Sequence, residues 1–452
     1  MFCLKNIAFF FILLTILVVN MMRFVNLECI PKGFYGDEIS STLNSNSLAT
    51  EGVDIQGKKW PLFSVIGFGS PKPPTQTYPL ALWIKAFGFS ITSVRSFSVC
   101  AFTLGLLGIF LLARILGGPT CAWLTLLAAS ISPWGWMFSR IAIESTLGPV
   151  FLIWGVFFFL RNSRWFDMVL SAFFINCAMY SYPPTCLHSL LIIPLLIGFQ
   201  FRQKKLRPWY LGIFIIAFAI CTAPLYISSH QESMQFRFNS LSIFSQTSSW
   251  KDITITFTKN YLSHLSSKFL FISGDNNIRH STGHFGELSW LDMLGICSGL
   301  LLACKSIKKK KTPSHLVIFL LLAAAAGIVP AALTWEGLPH ALRALGAQPF
   351  IELLVGYCLA KTIDLWPPLL LVSSLTAIVF AVCFLITYFN TYPDESADAW
   401  GAQMRIDAEH CQTDEDWINY IYDHHPEIMV RYFILRNYHK PCALWFLTSG
   451  DL

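Results

Sequence analysis

The chain has 452 residues, 54% of them hydrophobic and only 13% charged, with a formal net charge of +6. Soluble domains carry roughly a quarter charged residues, so the composition excludes one. The basic excess does not point to nucleic acid, because Lys and Arg fall in short segments between apolar runs, where they act as topology signals.

The first apolar run, "IAFFFILLTILVVNMM", follows Lys5 and leads into Arg23 with no small-residue cleavage site, so it reads as a retained span and not as a secretory signal. Runs of about 20 apolar residues are long enough to cross a bilayer as helices. They place spans near 6–26, 95–115, 119–138, 143–160, 166–182, 186–201, 208–227, 288–304, 315–334, 347–364 and 367–390. The expected fold is an all-α polytopic membrane protein of about eleven transmembrane helices. The basic stretches "RNSR" at 161, "FRQKKLR" at 201 and "CKSIKKKKTPSH" at 304 share one side with Lys5. That side is predicted to be cytoplasmic, which puts the N-terminus inside and the C-terminus outside. The lysine run at 308–311 is an orientation signal beside anionic lipid.

Four polar stretches then share the outer face: a first loop, 27–94; a second, 228–287; "TWEGLPHALRALGAQ" at 334–348; and a tail, 391–452. The organisation is a membrane domain over 1–390 and a small non-cytoplasmic C-terminal α+β domain over 391–452. Within the first loop, "ISSTLNSNSLA" and "YPLALWIKAFG" predict helices lying along the membrane interface. Most of the 13 cysteines lie in apolar spans, where they act as small hydrophobes; Cys411 and Cys442 in the tail are left open as a disulfide.

The chemistry-bearing residues gather on that outer side. In "PKGFYGDEISS", Asp37 and Glu38 are either a solvated loop start or an acid site. Lys72 precedes two prolines that fix the backbone, and a held amine at the interface is a good phosphate ligand. Arg95, at the start of the second span, is either a snorkelling anchor or a ligand. In "SPWGWMFSRIAIESTLG", Arg140 and Glu144 stand four apart, which on one helix permits a salt bridge; placing both charges at the mouth of an apolar helix also suits a functional pair. The stretch "SGDNNIRHSTGHFGELSW" holds Asp275, Arg279, His280, His284 and Glu287. Gly283 and Gly286 disfavour a helix that would pair His280 with His284 on a metal, so a substrate-shaping loop is expected. In "EGLPHALRALGAQPF", His340 and Arg343 sit at a predicted short helix start, where a phosphate or merely a solvated cap would fit.

The order of apolar span, "DE", "KPP", "YPLALWIKAFG", "VRSF", "SRIAIE" and "PHALRA" resembles the membrane-embedded GT-C glycosyltransferases of the family 39 kind, which include protein O-mannosyltransferases and lipid A aminoarabinose transferases. The resemblance covers roughly residues 1 to 390 and is strongest over the first 160. It implies a GT-C-like bundle and an enzyme that takes a sugar from a polyprenyl-phosphate carrier and passes it to a lipid, glycan or protein acceptor on the non-cytoplasmic face. The implied setting is the bacterial inner membrane. Asp37, Glu38 and Glu144 are the catalytic candidates, Asp37 and Glu144 by this likeness and Glu38 as the neighbour in the acid pair, with Asp37 the general base. Lys72, Arg95, Arg140, His340 and Arg343 are candidates for binding substrate. No cofactor and no metal is expected. The rival expectation is a transporter or flippase of lipid-linked saccharides, against which stands the absence of paired halves with broken helices.

Overall fold

The computed structural model describes residues 2–62, 64–67, 70–72, 74–229, 241–247, 249–309 and 314–402. Cys411 and Cys442, with all but the first residues of the α+β domain expected over 391–452, lie outside the described residues. So do residues 310 and 311 of the lysine run.

An apolar helix underlies each expected span. Helix α1 is Phe2–Met22, and α4 is Ile91–Ile131. Gly118, at φ 85 ahead of Pro119, breaks α4 into the two segments expected as separate spans; a positive φ there suits a residue with no Cβ. Ser132 leads into α5, Pro133–Ser139. Four helices follow: α6 (Leu147–Arg161), α7 (Trp165–Ser181), α8 (Pro183–Arg202) and α9 (Pro208–Ser229). Helices α5, α8 and α9 open on proline, whose fixed φ and missing N–H suit the first turn. A polar helix, α10, spans Trp250–Ser263 in the second outer loop. Then come α11 (Trp290–Lys308), α12 (His315–Ala332), the four-residue α13 (Ala341–Ala344), α14 (Gln348–Leu365), α15 (Leu369–Ile386) and the short α16 (Tyr392–Glu395). Among the described residues, six helical segments are individually long and apolar enough to cross a membrane.

The bundle core joins α4, α6, α7, α12, α14 and α15 through residues such as Leu124, Val156, Ile175, Leu320, Leu359 and Phe380. The helices approach closely where one side is small: a Cβ on Gly356 of α14 would stand 2.0 Å from the Thr125 hydroxyl of α4. Leu17, Leu104, Ile216, Ile220, Leu300 and Val379 point outward, as a lipid-facing surface requires.

Both helices expected in the first outer loop are present. Helix α2 is Gly36–Glu51 and α3 is Pro74–Phe87. Between them, β1 (Val65–Gly67) and β2 (Ser70–Lys72) form an antiparallel hairpin that pairs Val65 with Lys72. Helix α2 buries mostly polar side chains. It does so because Thr42, Asn44 and Ser45 each donate to the carbonyl four residues back, which satisfies those buried donors within the helix. Leu43, Leu80, Ile84, Val94 and Leu147 then seal α2 and α3 against α4 and α6. This packing carries the start of α2 and the end of β2 to one place.

Candidate active site

The first turn of α2 presents Asp37 and Glu38 in different directions. Glu38 is fully buried and takes a bidentate ion pair from Arg95: Nε donates to Oε1 at 3.2 Å and Nη2 to Oε2 at 2.9 Å. The Ala142 N–H adds a bond to Oε1 at 2.8 Å. Arg95 also donates to the carbonyls of Leu27, Pro31 and Gly33 at 2.8–3.0 Å. Every donor group of this guanidinium is engaged on the chain itself, and such fork geometry fixes a loop rather than awaiting a ligand.

Asp37 turns the other way, with its side chain 50% exposed. Its Oδ1 lies 3.0 Å from the Lys72 amine, which is itself 5% exposed. The same amine is 3.6 Å from Oε2 of Glu144, whose side chain is 14% exposed. Ser41 Oγ reaches that Glu144 oxygen at 3.4 Å. The amine also donates to the Asp37 carbonyl at 3.3 Å. Asp37, Lys72 and Glu144 are thus brought together by α2, the hairpin and the loop before α6, with the most open side chain belonging to Asp37.

One expectation needs correction, and three candidate side chains turn out to be spent on the chain itself. Arg140 and Glu144 do not share a helix and form no ion pair: α5 ends at Ser139, and Ile143 is extended ahead of a 3₁₀ turn at Glu144–Thr146. Arg140, expected to bind substrate, has its guanidinium engaged on the chain itself. It is fully buried, and its guanidinium caps the end of α1 and the turn after it through the carbonyls of Met22, Arg23, Val25 and Ile30 at 2.7–3.2 Å, while Nε donates to Tyr388 OH at 3.0 Å. Arg95 and Glu38 are likewise a buried pair bonded to each other and to the chain. Burial of an arginine among carbonyls leaves no sequence signal to distinguish it from a ligand. Arg23, absent from the expected set, does similar work: it donates to Gly135 O at 3.1 Å, Ser130 O at 2.8 Å and Ser139 Oγ, between the rings of Phe102 and Trp136.

A second cluster forms where the second outer loop meets α13. Asp275 Oδ2 lies 2.8 Å from His280 Nδ1 and accepts the Ala341 N–H at 2.8 Å. The rings of His280 and His340 are 4.8 Å apart. His340 caps α13, accepting the Arg343 N–H at Nδ1 at 3.3 Å, and its own N–H donates to His264 Nε2 at 3.0 Å. Burial, with His280, Arg343 and His264 adding, pushes the His340 imidazole well below the usual histidine range. Burial lowers His264 and raises the Glu287 carboxyl well above its ordinary value. Arg343 donates through Nη1 to Thr334 Oγ1 and Glu336 O, both at 2.8 Å, and its Nη2 has no hydrogen-bond partner among the described residues.

The two clusters meet at Tyr35, the residue just before α2. The Arg279 guanidinium lies 3.8 Å over the Tyr35 ring and has no carboxylate partner among the described residues. Its Nε donates to Asn277 Oδ1 at 3.3 Å, and this bond and the stacking together hold the guanidinium in place. The quoted loop contained Arg279, but only this stacking distinguishes it from the other loop cations. His284, by contrast, reaches away to Glu395 of α16 at 2.7 Å.

Residues 71–227 match the family model described as dolichyl-phosphate-mannose-protein mannosyltransferase. No curated protein matches the chain. Crystal structures of ArnT from Cupriavidus metallidurans, bound to undecaprenyl phosphate and in the apo state, are similar with TM-scores of 0.53 and 0.52 at 14% identity. They cover 96% and 97% of this chain and 76% and 77% of their own. A weaker likeness, with a TM-score of 0.47 at 13% identity, is to the archaeal oligosaccharyltransferase AglB from Archaeoglobus fulgidus in complex with an inhibitory peptide and a dolichol-phosphate; it covers 95% of this chain and 59% of that one.

Proposed function

We propose that this chain, an integral multi-pass membrane protein with the fold of the GT-C glycosyltransferases, transfers a sugar from a polyprenyl-phosphate carrier to an acceptor hydroxyl on the non-cytoplasmic face. The observation that carries the reading is the trio in which Lys72 bridges Asp37 and Glu144 while only Asp37 is widely open. The family-model match and the ArnT structure bound to undecaprenyl phosphate support a lipid-borne donor. The basic segments between spans support the sidedness.

Transfer breaks the bond from the anomeric carbon to the carrier phosphate through a transition state with oxocarbenium character. The acceptor hydroxyl must lose its proton as it attacks, and Asp37 is the carboxylate with the access to take it. Ionised, the trio carries a net charge of −1, so Lys72 alone does not draw an anion to this spot. Its amine shifts from the carboxylates to the phosphate as charge grows on the leaving oxygen, and Arg279 and Arg343 supply the surplus positive charge that the trio lacks. Glu144 and Ser41 hold the amine and the acid in register. His340 belongs to the wall beside Arg343.

The test uses purified full-length protein in proteoliposomes with a polyprenyl-phosphate sugar and a hydroxyl acceptor. Wild type releases polyprenyl phosphate and glycosylated acceptor, whereas Asp37→Asn, inserted normally, does not. Near-wild-type turnover by that variant removes Asp37 from the base role. Movement of the lipid-linked sugar across the bilayer without its consumption replaces the reading with a flippase. A cysteine at position 37 reacts with an impermeant reagent from the non-cytoplasmic side; labelling from the cytosol overturns the sidedness.

A further inference from the structure

We propose that Asp275, His280 and His340 form a binding site for one divalent transition-metal ion of the zinc class, which cross-links the second outer loop to the start of α13. The inference does not rest on glycosyl transfer.

One carboxylate oxygen and one ring nitrogen from each histidine all lie within 4.8 Å of one another. Tetrahedral ligands at zinc distances of about 2.0–2.1 Å stand about 3.3 Å apart, so closure needs side-chain rotation and no refolding of the loop. Asp275 Oδ2 and the His280 ring are already in contact, with Nδ1 at 2.8 Å. The ligands are held from outside. Asp275 is pinned by the backbone N–H groups of Asn277 and Ala341 at 2.9 and 2.8 Å, and the His280 N–H donates to Asn277 O at 2.8 Å. His340 is anchored through its own N–H on His264 Nε2. Such support is what orients metal ligands in advance.

Hydrogen bonding within the cluster leaves part of it unexplained. His280 uses only Nδ1 and His340 only Nδ1, so neither Nε2 atom has a hydrogen-bond partner among the described residues. A carboxylate needs one imidazole to satisfy it, yet here a second ring is held within a ligand's reach. Two imidazoles and one carboxylate suit Zn²⁺, Co²⁺ or Ni²⁺ and disfavour Mg²⁺ and Ca²⁺, which prefer all-oxygen shells. The consequence is mechanical. His340 precedes α13 directly, so an ion held there fixes the helix that carries Arg343.

The experiment strips full-length protein in detergent with a chelator and titrates it with Zn²⁺ against a chromophoric competitor. Wild type takes up one equivalent that Mg²⁺ does not displace. His280→Gln and His340→Gln each weaken that equivalent by about tenfold or more, whereas His284→Gln leaves it intact. Co²⁺ bound there lacks thiolate charge-transfer bands, which separates the site from the cysteines. Zn²⁺ raises the thermal midpoint of wild type and not of the two variants. Equal affinity in wild type and both variants, thiolate bands, or no bound equivalent overturns the proposal. Should either variant fail to fold, amide exchange on wild type decides: slower exchange over residues 273–289 on adding Zn²⁺ is expected, and unchanged exchange overturns the site.

Discussion

The first outer loop and the second both hold ionisable side chains beside Tyr35, but they stabilise them differently. In the first, charge meets charge: Arg95 closes on Glu38 in full burial, and Lys72 bridges Asp37 and Glu144. In the second, burial favours uncharged forms, so His264 and His340 titrate low and Glu287 high. Pairing keeps a charge available at a fixed position, and desolvation removes it. The first region therefore holds its charges in pairs at fixed positions, whereas the second sets the cations Arg279 and Arg343 beside walls that burial keeps neutral.

That contrast breaks most visibly at Asp37. Asp37→Asn should cost about 10²–10⁴-fold in turnover, the range for loss of a general base, with unchanged insertion and thermal midpoint. A comparable loss from a substitution at Glu38 without any loss of stability would erase the distinction between the two neighbours. Glu38→Gln should instead destabilise the protein by about 3–5 kcal/mol, because it strands a buried guanidinium; thermal unfolding in detergent reads this. Replacing Glu38 and Arg95 together by apolar residues of similar volume should recover much of that loss.

Lys72→Ala should reduce donor use by roughly 10–100-fold, the worth of a charge-assisted hydrogen bond of about 1.5–3 kcal/mol, and acceptor use less. Unchanged kinetics on titrating donor would remove the amine from the phosphate. The smallest effect is expected at Arg343, which is partly open and already bonded to Thr334 and Glu336. Arg343→Gln should weaken donor affinity only several-fold, on the order of 1 kcal/mol, and more so at low ionic strength. A loss as large as that at Asp37 would move the chemistry into the second region.

The sequence by itself determined the membrane class, the apolar segments, the two helices of the first loop and the candidacy of Asp37, Lys72 and Glu144. These follow from composition, from run length and from prolines that punctuate helices, all of which are local properties. It could not show that Arg95 and Arg140 spend their donors on the chain, because an arginine reads the same whether its fork meets backbone carbonyls or a phosphate. Nor could it pair His280 with His340, 60 positions further along the chain, when the nearer His284 was the visible alternative. Those assignments depend on which segments the bundle brings side by side, and packing between distant helices sets that. Only the tertiary structure therefore decided which charges are sealed inside, which one stays open, and which histidines converge.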